Sequence, residues 1–229
     1  MNPEIQIILV PAGVEYRAVK RAVSRVQGAP QVVAIPAGPR AVKRFLETWK
    51  DRALLWSGGV LVVGLGGSLS SEYGVGDGVL LERVWNGFEK SEGEDGEQDV
   101  YECDRTLTTQ IAERLAIATG TGVTCDRVIT TVDQKRELCD RYGADIVDME
   151  GAALLKVLPN AKVAILRVVS DDCHHDLPDI SNAISSDGSI KPLPIAFHLS
   201  RRPTAAIRLI RGSLKGLKSL ETLIAALFE

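Results

Sequence analysis

The stretch VAILRVVSDD, residues 163–172, is an apolar run rich in valine that stops on a serine and two aspartates. A short β-branched run of this kind predicts a buried strand, Val163 to Ser170, with its carboxylates at the exit. A second stretch, GADIVDMEGAA at residues 143–153, repeats the plan: Ile146 to Asp148 reads as extended and leads into a helix. In an α/β sheet the ligand crevice lies at the strand ends, so carboxylates placed there would meet.

The flanking sequence agrees with such a sheet. Ile5 to Val10 reads as a buried strand, Pro11-Ala12-Gly13 as a turn, and Glu15 to Val26 as a helix. Val32 to Ile35 is a short strand. Gly38-Pro39 opens a helix with proline at a tolerated early position, and Ala41, Val42, Phe45, Leu46 and Trp49 mark its apolar side. Gly59 to Val63 is a third strand, ending in Gly64-Leu65-Gly66-Gly67-Ser68, and Val79 to Trp85 a fourth. Thr106 to Ala118 reads as helix, Gly122 to Thr131 as extended, Gln134 to Tyr142 as helix, and the acidic stretch Glu89 to Asp99 as a solvated loop. Strand alternating with helix predicts an α/β fold, and 229 residues fit one domain spanning 1–229.

Composition narrows the function. No apolar run reaches the roughly 18 to 20 residues of a membrane span, so a soluble chain is expected. The first strand lacks the basic flank and length of a secretory signal, which points to the cytoplasm. Four cysteines without a C-x-x-C pair read as reduced, structural thiols. A net charge of −3 and 5% aromatic residues offer little to a phosphate backbone, so nucleic acid is not an expected partner.

Five features in order carry a resemblance: the helix-opening Glu15, VGLGGSL at 63–69, VGDGV at 75–79, GADIVDMEGAALL at 143–155 and LRVVSD at 166–171. Together they resemble the nucleoside phosphorylase and nucleosidase superfamily, most closely its methylthioadenosine/S-adenosylhomocysteine nucleosidases and hopanoid-associated nucleoside phosphorylases. The resemblance implies a single-domain, three-layer α/β fold with a central mixed β-sheet flanked by helices. It also implies a homo-oligomer and a small-molecule nucleoside substrate.

The same resemblance gives roles. Asp171 matches the acid that protonates the purine as the ribosyl bond breaks, with Ser170 beside it among the substrate contacts. Breaking that bond leaves an electron-poor sugar and an anionic base, so a donated proton lowers the barrier. Burial among apolar strands is the expected means of keeping such a donor protonated. Met149 and Glu150 match the pair that grips the ribose, and Glu15 matches the base that activates water. Val128 and Ile129 fall where the family packs the purine, after Thr124-Cys125-Asp126 in place of the usual S-G-D. Gly64, Gly66 and Gly67 would admit the sugar or an anion close to the backbone.

Two positions depart from the phosphorylase pattern: Val62 and Leu65 stand where an arginine and a serine commonly hold phosphate. That favours water as nucleophile, while Arg17 and Arg40 remain candidate phosphate contacts; Gly38 to Ala41 also resembles the hopanoid-associated phosphorylases. Each residue has a plainer reading as well. Aspartates end strands everywhere, a glutamate early in a helix suits its dipole, and glycines make tight strand-to-helix turns. Cys173-His174-His175-Asp176 reads as a polar loop, because adjacent residues rarely converge on one metal ion. GSLKGLKS at 212–219 lacks an intact phosphate-loop motif.

The tail, Ala205 to Leu227, reads as one amphipathic helix. It sets Ile207, Ile210, Leu214, Leu217, Ile224 and Leu227 on one side and Arg208, Arg211, Lys215 and Lys218 on a basic stripe. A core-covering helix is expected, with contact to anionic lipid the alternative. The expected activity is hydrolysis of 5′-methylthioadenosine or S-adenosylhomocysteine without metal or organic cofactor. The alternatives are phosphorolysis, with phosphate as co-substrate and an adenosyl-lipid such as adenosylhopane as substrate, and nucleoside binding without turnover.

Overall fold

The computed structural model describes residues 4–88, 99–178 and 203–229. The acidic stretch read as a loop lies outside them as far as Gln98. Eight strands are described: β1 (Ile5–Pro11), β2 (Gln31–Ile35), β3 (Gly59–Ser68), β4 (Gly78–Asn86), β5 (Val100–Glu102), β6 (Ala118–Thr124), β7 (Ile146–Asp148) and β8 (Val163–Asp171). Six α-helices accompany them: α1 (Val14–Val23), α2 (Pro39–Thr48), α3 (Arg105–Leu115), α4 (Val132–Tyr142), α5 (Gly151–Val157) and α6 (Pro203–Phe228). The fold is α/β, as the strand–helix alternation predicts, with the central mixed sheet flanked by helices that the resemblance implies.

The sheet curls back on itself. β1 runs parallel to both β2 and β3, and β3 runs parallel to β8. β8 pairs antiparallel with β4, β4 parallel with β6, β6 parallel with β7, and β7 antiparallel with the far end of β3. The five strands β3, β8, β4, β6 and β7 therefore close a ring, and β5 extends it from β4.

The glycine run makes this closure possible. The sequence suggests a strand ending at Val63 and then a turn, but β3 continues to Ser68, with a register shift against β8 between Gly66 and Gly67. Gly67 and Ser68 then pair with Val147 and Ile146. A side chain at Gly66 would place its Cβ 2.9 Å from Ile146 Cγ2 and 3.1 Å from the Val147 carbonyl, so β7 approaches this closely only because Cβ is missing.

Both faces of the central strands are buried, which explains their unbroken apolar sequences. Ile7, Leu9, Val60 and Val62 pack with Val42 and Leu46 of α2 and Leu154 of α5. The intervening Ile8, Val10, Leu61 and Val63 pack with Val19 of α1, Leu107 and Ile111 of α3, and Leu220 and Ile224 of α6. All four cysteines are free thiols, and burial pushes Cys103 and Cys125 up to about 12, which suits packing rather than reactivity.

Helix α6 corrects the sequence reading of its faces. Its first half buries Ala205, Ala206, Gly212 and Gly216, whereas Ile207, Ile210 and Leu214 are exposed at 51%, 48% and 62%. Close approach to the sheet is the reason. A Cβ on Gly212 would lie 2.1 Å from the Ser170 carbonyl oxygen, so only a backbone without side chains fits against β8 there. Among the described residues no helix is long and apolar enough to cross a membrane. Two small elements carried no sequence signal: β5 and a 3-10 turn at Arg52–Trp56.

Candidate active site

One cavity collects the ends of β1, β3, β7 and β8 and the segment after β6. Its lining includes Glu15, Leu65, Gly66, Gly67, Arg127, Val128, Ile129, Met149, Glu150, Ser170 and Asp171. The acid assigned to the late strand and the anchor assigned to the preceding helix thus face a shared space. Gly64 is not part of the lining; it underlies it, because a Cβ there would meet Arg167 Nη1 at 2.4 Å and Glu15 Oε1 at 3.1 Å. Its role is to let two side chains meet rather than to offer its own backbone.

Arg167 organises the centre. It is fully buried in a strand of apolar residues, where a charge persists only when paired. Its Nε and Nη2 donate to Asp148 Oδ2 at 2.9 and 2.6 Å, and Nη2 also reaches Glu150 Oε2 at 3.3 Å. Burial opposes its charge, but Asp148, Glu150 and Glu15 outweigh that and hold the guanidinium above its usual value. Asp148 is in turn held by Thr124 Oγ1 and by the Gly151 N–H, and Thr124 accepts from the Ala152 N–H. Asp148 therefore aims Arg167 and opens α5. Among the described residues, Arg167 Nη1 has no hydrogen-bond partner, so a donor remains beside Glu15.

Glu15 sits in the first turn of α1, whose backbone turns in through Gly13 at φ 109°. Its Oε1 accepts from the Leu65 N–H at 2.7 Å. Burial pushes this carboxyl up to about 7; Glu150 adds to the rise, while the Leu65 N–H and Arg167 oppose it. A carboxyl that changes charge near neutrality suits a general base. Glu150 is likewise raised by burial, against the pull of Arg167, and its Oε1 accepts from the Gly38 N–H at 3.0 Å. Glu15, Asp148 and Glu150 thus surround one guanidinium.

Asp171 is held differently from the expectation. Rather than resting only among apolar strands, it accepts from the buried Lys135 Nζ through Oδ2 at 2.5 Å. Its Oδ1 lies 2.7 Å from Ser170 Oγ, which is also 3.2 Å from the Gly66 carbonyl. The serine hydroxyl has one proton. It donates either to Asp171 Oδ1 or to the Gly66 carbonyl.

Comparison with known proteins matches residues 40–186, well over half of the chain, to the phosphorylase superfamily. The chain belongs to the phosphorylase superfamily. Solved structures share its fold along nearly its whole length. Futalosine hydrolase of Helicobacter pylori strain 26695 aligns with a TM-score of 0.71 at 15% identity, covering 98% of this chain and 97% of that one. The 5′-methylthioadenosine/S-adenosylhomocysteine nucleosidase of the same organism gives 0.65 at 16% identity, with 97% and 98% covered. S-adenosylhomocysteine nucleosidase of Streptococcus pyogenes gives 0.66 at 15%, with 98% of each chain covered. No curated protein matches the chain. At these identities the solved structures speak for the fold, and the superfamily makes the chain an enzyme that cleaves N-glycosidic bonds by hydrolysis or phosphorolysis.

As a phosphorylase-superfamily site, the cavity differs in part from the sequence reading. Arg17 and Arg40 are not in its lining; Arg17 is exposed, and Arg40 faces a separate cleft with Lys43, Arg44 and Phe88. Arg127 lines the cavity instead. Cys173 to Asp176 also lie apart: His175 Nδ1 is 2.9 Å from Asp172 Oδ1, and His174, His175 and Asp176 face a different cleft toward α6. Arg167 had a legible signal, because a lone arginine in an apolar strand must be buried with partners. Lys135 had none, since it stands among charged and polar residues in DQKREL.

Proposed function

We propose that this enzyme hydrolyses the N-ribosyl bond of an adenine nucleoside, with 5′-methylthioadenosine and S-adenosylhomocysteine as substrates and no metal or organic cofactor. The observation that carries the reading is the convergence of Glu15, Glu150 and Asp171 on one cavity, with the unpaired Arg167 N–H beside Glu15. A water held between Glu15 and Arg167 would lose its proton to Glu15 as it attacks the sugar. Glu150, fixed by Gly38 and Arg167, would accept the ribose hydroxyls, and Val128 and Ile129 would pack against the base. The bonding pair passes to the purine, and Asp171 supplies the proton that neutralises it. Val62 and Leu65 at the places where phosphorylases carry their phosphate contacts favour water over phosphate.

One observation favours a second reading. Arg127 lines the cavity and is exposed, and its guanidinium would be a natural contact for phosphate, which would make the reaction a phosphorolysis. Purified protein incubated with methylthioadenosine, S-adenosylhomocysteine and futalosine, each with and without phosphate, separates these readings. Adenine release without phosphate, unchanged by a chelator, is expected. Release only with phosphate would replace hydrolysis by phosphorolysis, and nucleoside binding without release would make the site non-catalytic.

A further inference from the structure

Lys135 stands out among residues given no role so far. Its neighbours on α4, Gln134 and Arg136, are a helix-start residue and a surface arginine, yet the Lys135 side chain is only 1% exposed. Burying an ammonium is unfavourable unless acceptors surround it, so a buried lysine marks a place where its partners matter. The partners here are Asp171 Oδ2 and the carbonyl oxygen of Asp172, both at 2.5 Å. One ammonium therefore clamps both the side chain of the acid and the backbone just past it. Helix α4 is itself fixed for this task, since Thr131 caps its first turn by accepting from Gln134 N–H, and Gly143 closes it in the left-handed conformation.

The need for a clamp follows from where Asp171 sits. It is the last residue of β8, beyond the register shift at Gly66 and Gly67, and strand pairing does not continue past it. Gly67 leaves the space its carboxylate occupies, because a Cβ there would be 2.9 Å from Asp171 Oδ2. Ser170 reaches Oδ1 with a single hydroxyl that is also within reach of the Gly66 carbonyl. Only Lys135 holds Oδ2 among the described hydrogen bonds, and a charge-assisted bond is roughly twice as strong as a neutral one.

We infer that Lys135 is a positioning residue for the reaction, holding the carboxyl of Asp171 in the orientation from which it serves the departing base. It acts through Asp171 and touches no substrate. The inference rests on the reading of Asp171 as the acid.

The test compares the whole chain with Lys135→Ala and Lys135→Gln on whichever nucleoside the wild type cleaves, measuring kcat and KM separately. Lys135→Ala is expected to lower kcat about 100-fold or more while KM stays within about threefold, because orientation at the reacting bond is lost and sugar binding is not. Ethylammonium added to Lys135→Ala should restore kcat in a saturable way. Tetramethylammonium, with the same charge and no N–H, should not. In the Asp171→Asn background, Lys135→Ala should have little further effect. Wild-type kcat in Lys135→Ala, or a loss as large in the Asp171→Asn background as in the wild type, would overturn the inference. If Lys135→Ala does not fold, Lys135→Gln carries the test, with a tenfold or larger loss of kcat expected and an unchanged kcat fatal. A wild type that releases no base from any nucleoside overturns the functional reading first and takes this inference with it; an active wild type matched by both variants overturns the inference alone.

Discussion

Glu15 links the charge state of a single group to both rate and stability. Its folded value near 7 lies above the ordinary 4.5 because burial disfavours the carboxylate. As the base it must be ionised, so kcat/KM should rise about tenfold per pH unit on the acid side of about 7. Stability runs the other way. Between pH 4.5 and about 7 the folded state holds more protons than the unfolded chain, so this residue's contribution falls as pH rises through that window. Glu15→Gln keeps the acceptor for Leu65 and removes the charge. It should abolish most turnover yet melt higher than the wild type at pH 8, with the difference shrinking toward pH 4.5. A wild-type pH–rate profile flat across pH 5 to 8 would remove Glu15 as the base.

The other residues divide by how far their own neighbourhoods announce them. Asp171, Glu150, Met149, Val128 and Ile129 line one cavity, and each belongs to a segment legible in the sequence. Arg167 and Lys135 were not assigned roles, although they hold the carboxylates in place. A charged side chain becomes a partner only when two distant segments meet, and Lys135 lies 36 residues from Asp171 along the chain. Arg17 and Arg40, the candidate phosphate contacts, lie outside the cavity's lining, one in the first turn of α1 and the other at the start of α2.

At the scale of the element, two packings make predictions. Asp148 at the end of β7 gives the buried guanidinium on β8 its two shortest hydrogen bonds, so Asp148→Ala would leave that charge only the longer Glu150 contact. A loss of about 3–5 kcal/mol is expected in urea unfolding, and a loss below about 1 kcal/mol would contradict the pairing. Helix α6 crosses β8 on Gly212, which abuts the carbonyl of Ser170. Gly212→Ala should destabilise the chain by about 1–3 kcal/mol through overpacking. It should also slow turnover, because the helix cannot lift without disturbing Ser170 and Asp171. Equal activity in that variant would separate the helix from the site. The periodicity of α6 was legible, but not which side faces inward; the helix buries its small residues because the sheet lies too close for larger ones.

The whole molecule brings its chemistry together through a closed ring of strands. β1, the first half of β3 and most of β8 are legible because burial on both faces writes an apolar sequence, and the half-buried edge strand β2 through its short apolar run Val32 to Ile35. Ring closure is not, since it depends on β3 running through its glycines to meet β7, and glycine carries no pattern of its own. The ring delivers Asp171 from the end of β8 and Glu150 from the junction of β7 and α5 to one cavity, with Glu15 entering from α1. The decisive measurement is adenine release from 5′-methylthioadenosine in phosphate-free buffer by the wild type and by Asp171→Asn. Release by the wild type and a loss of at least about 100-fold in a folded variant is the expected result. Equal release by both proteins, or no release from either until phosphate is added, would contradict it.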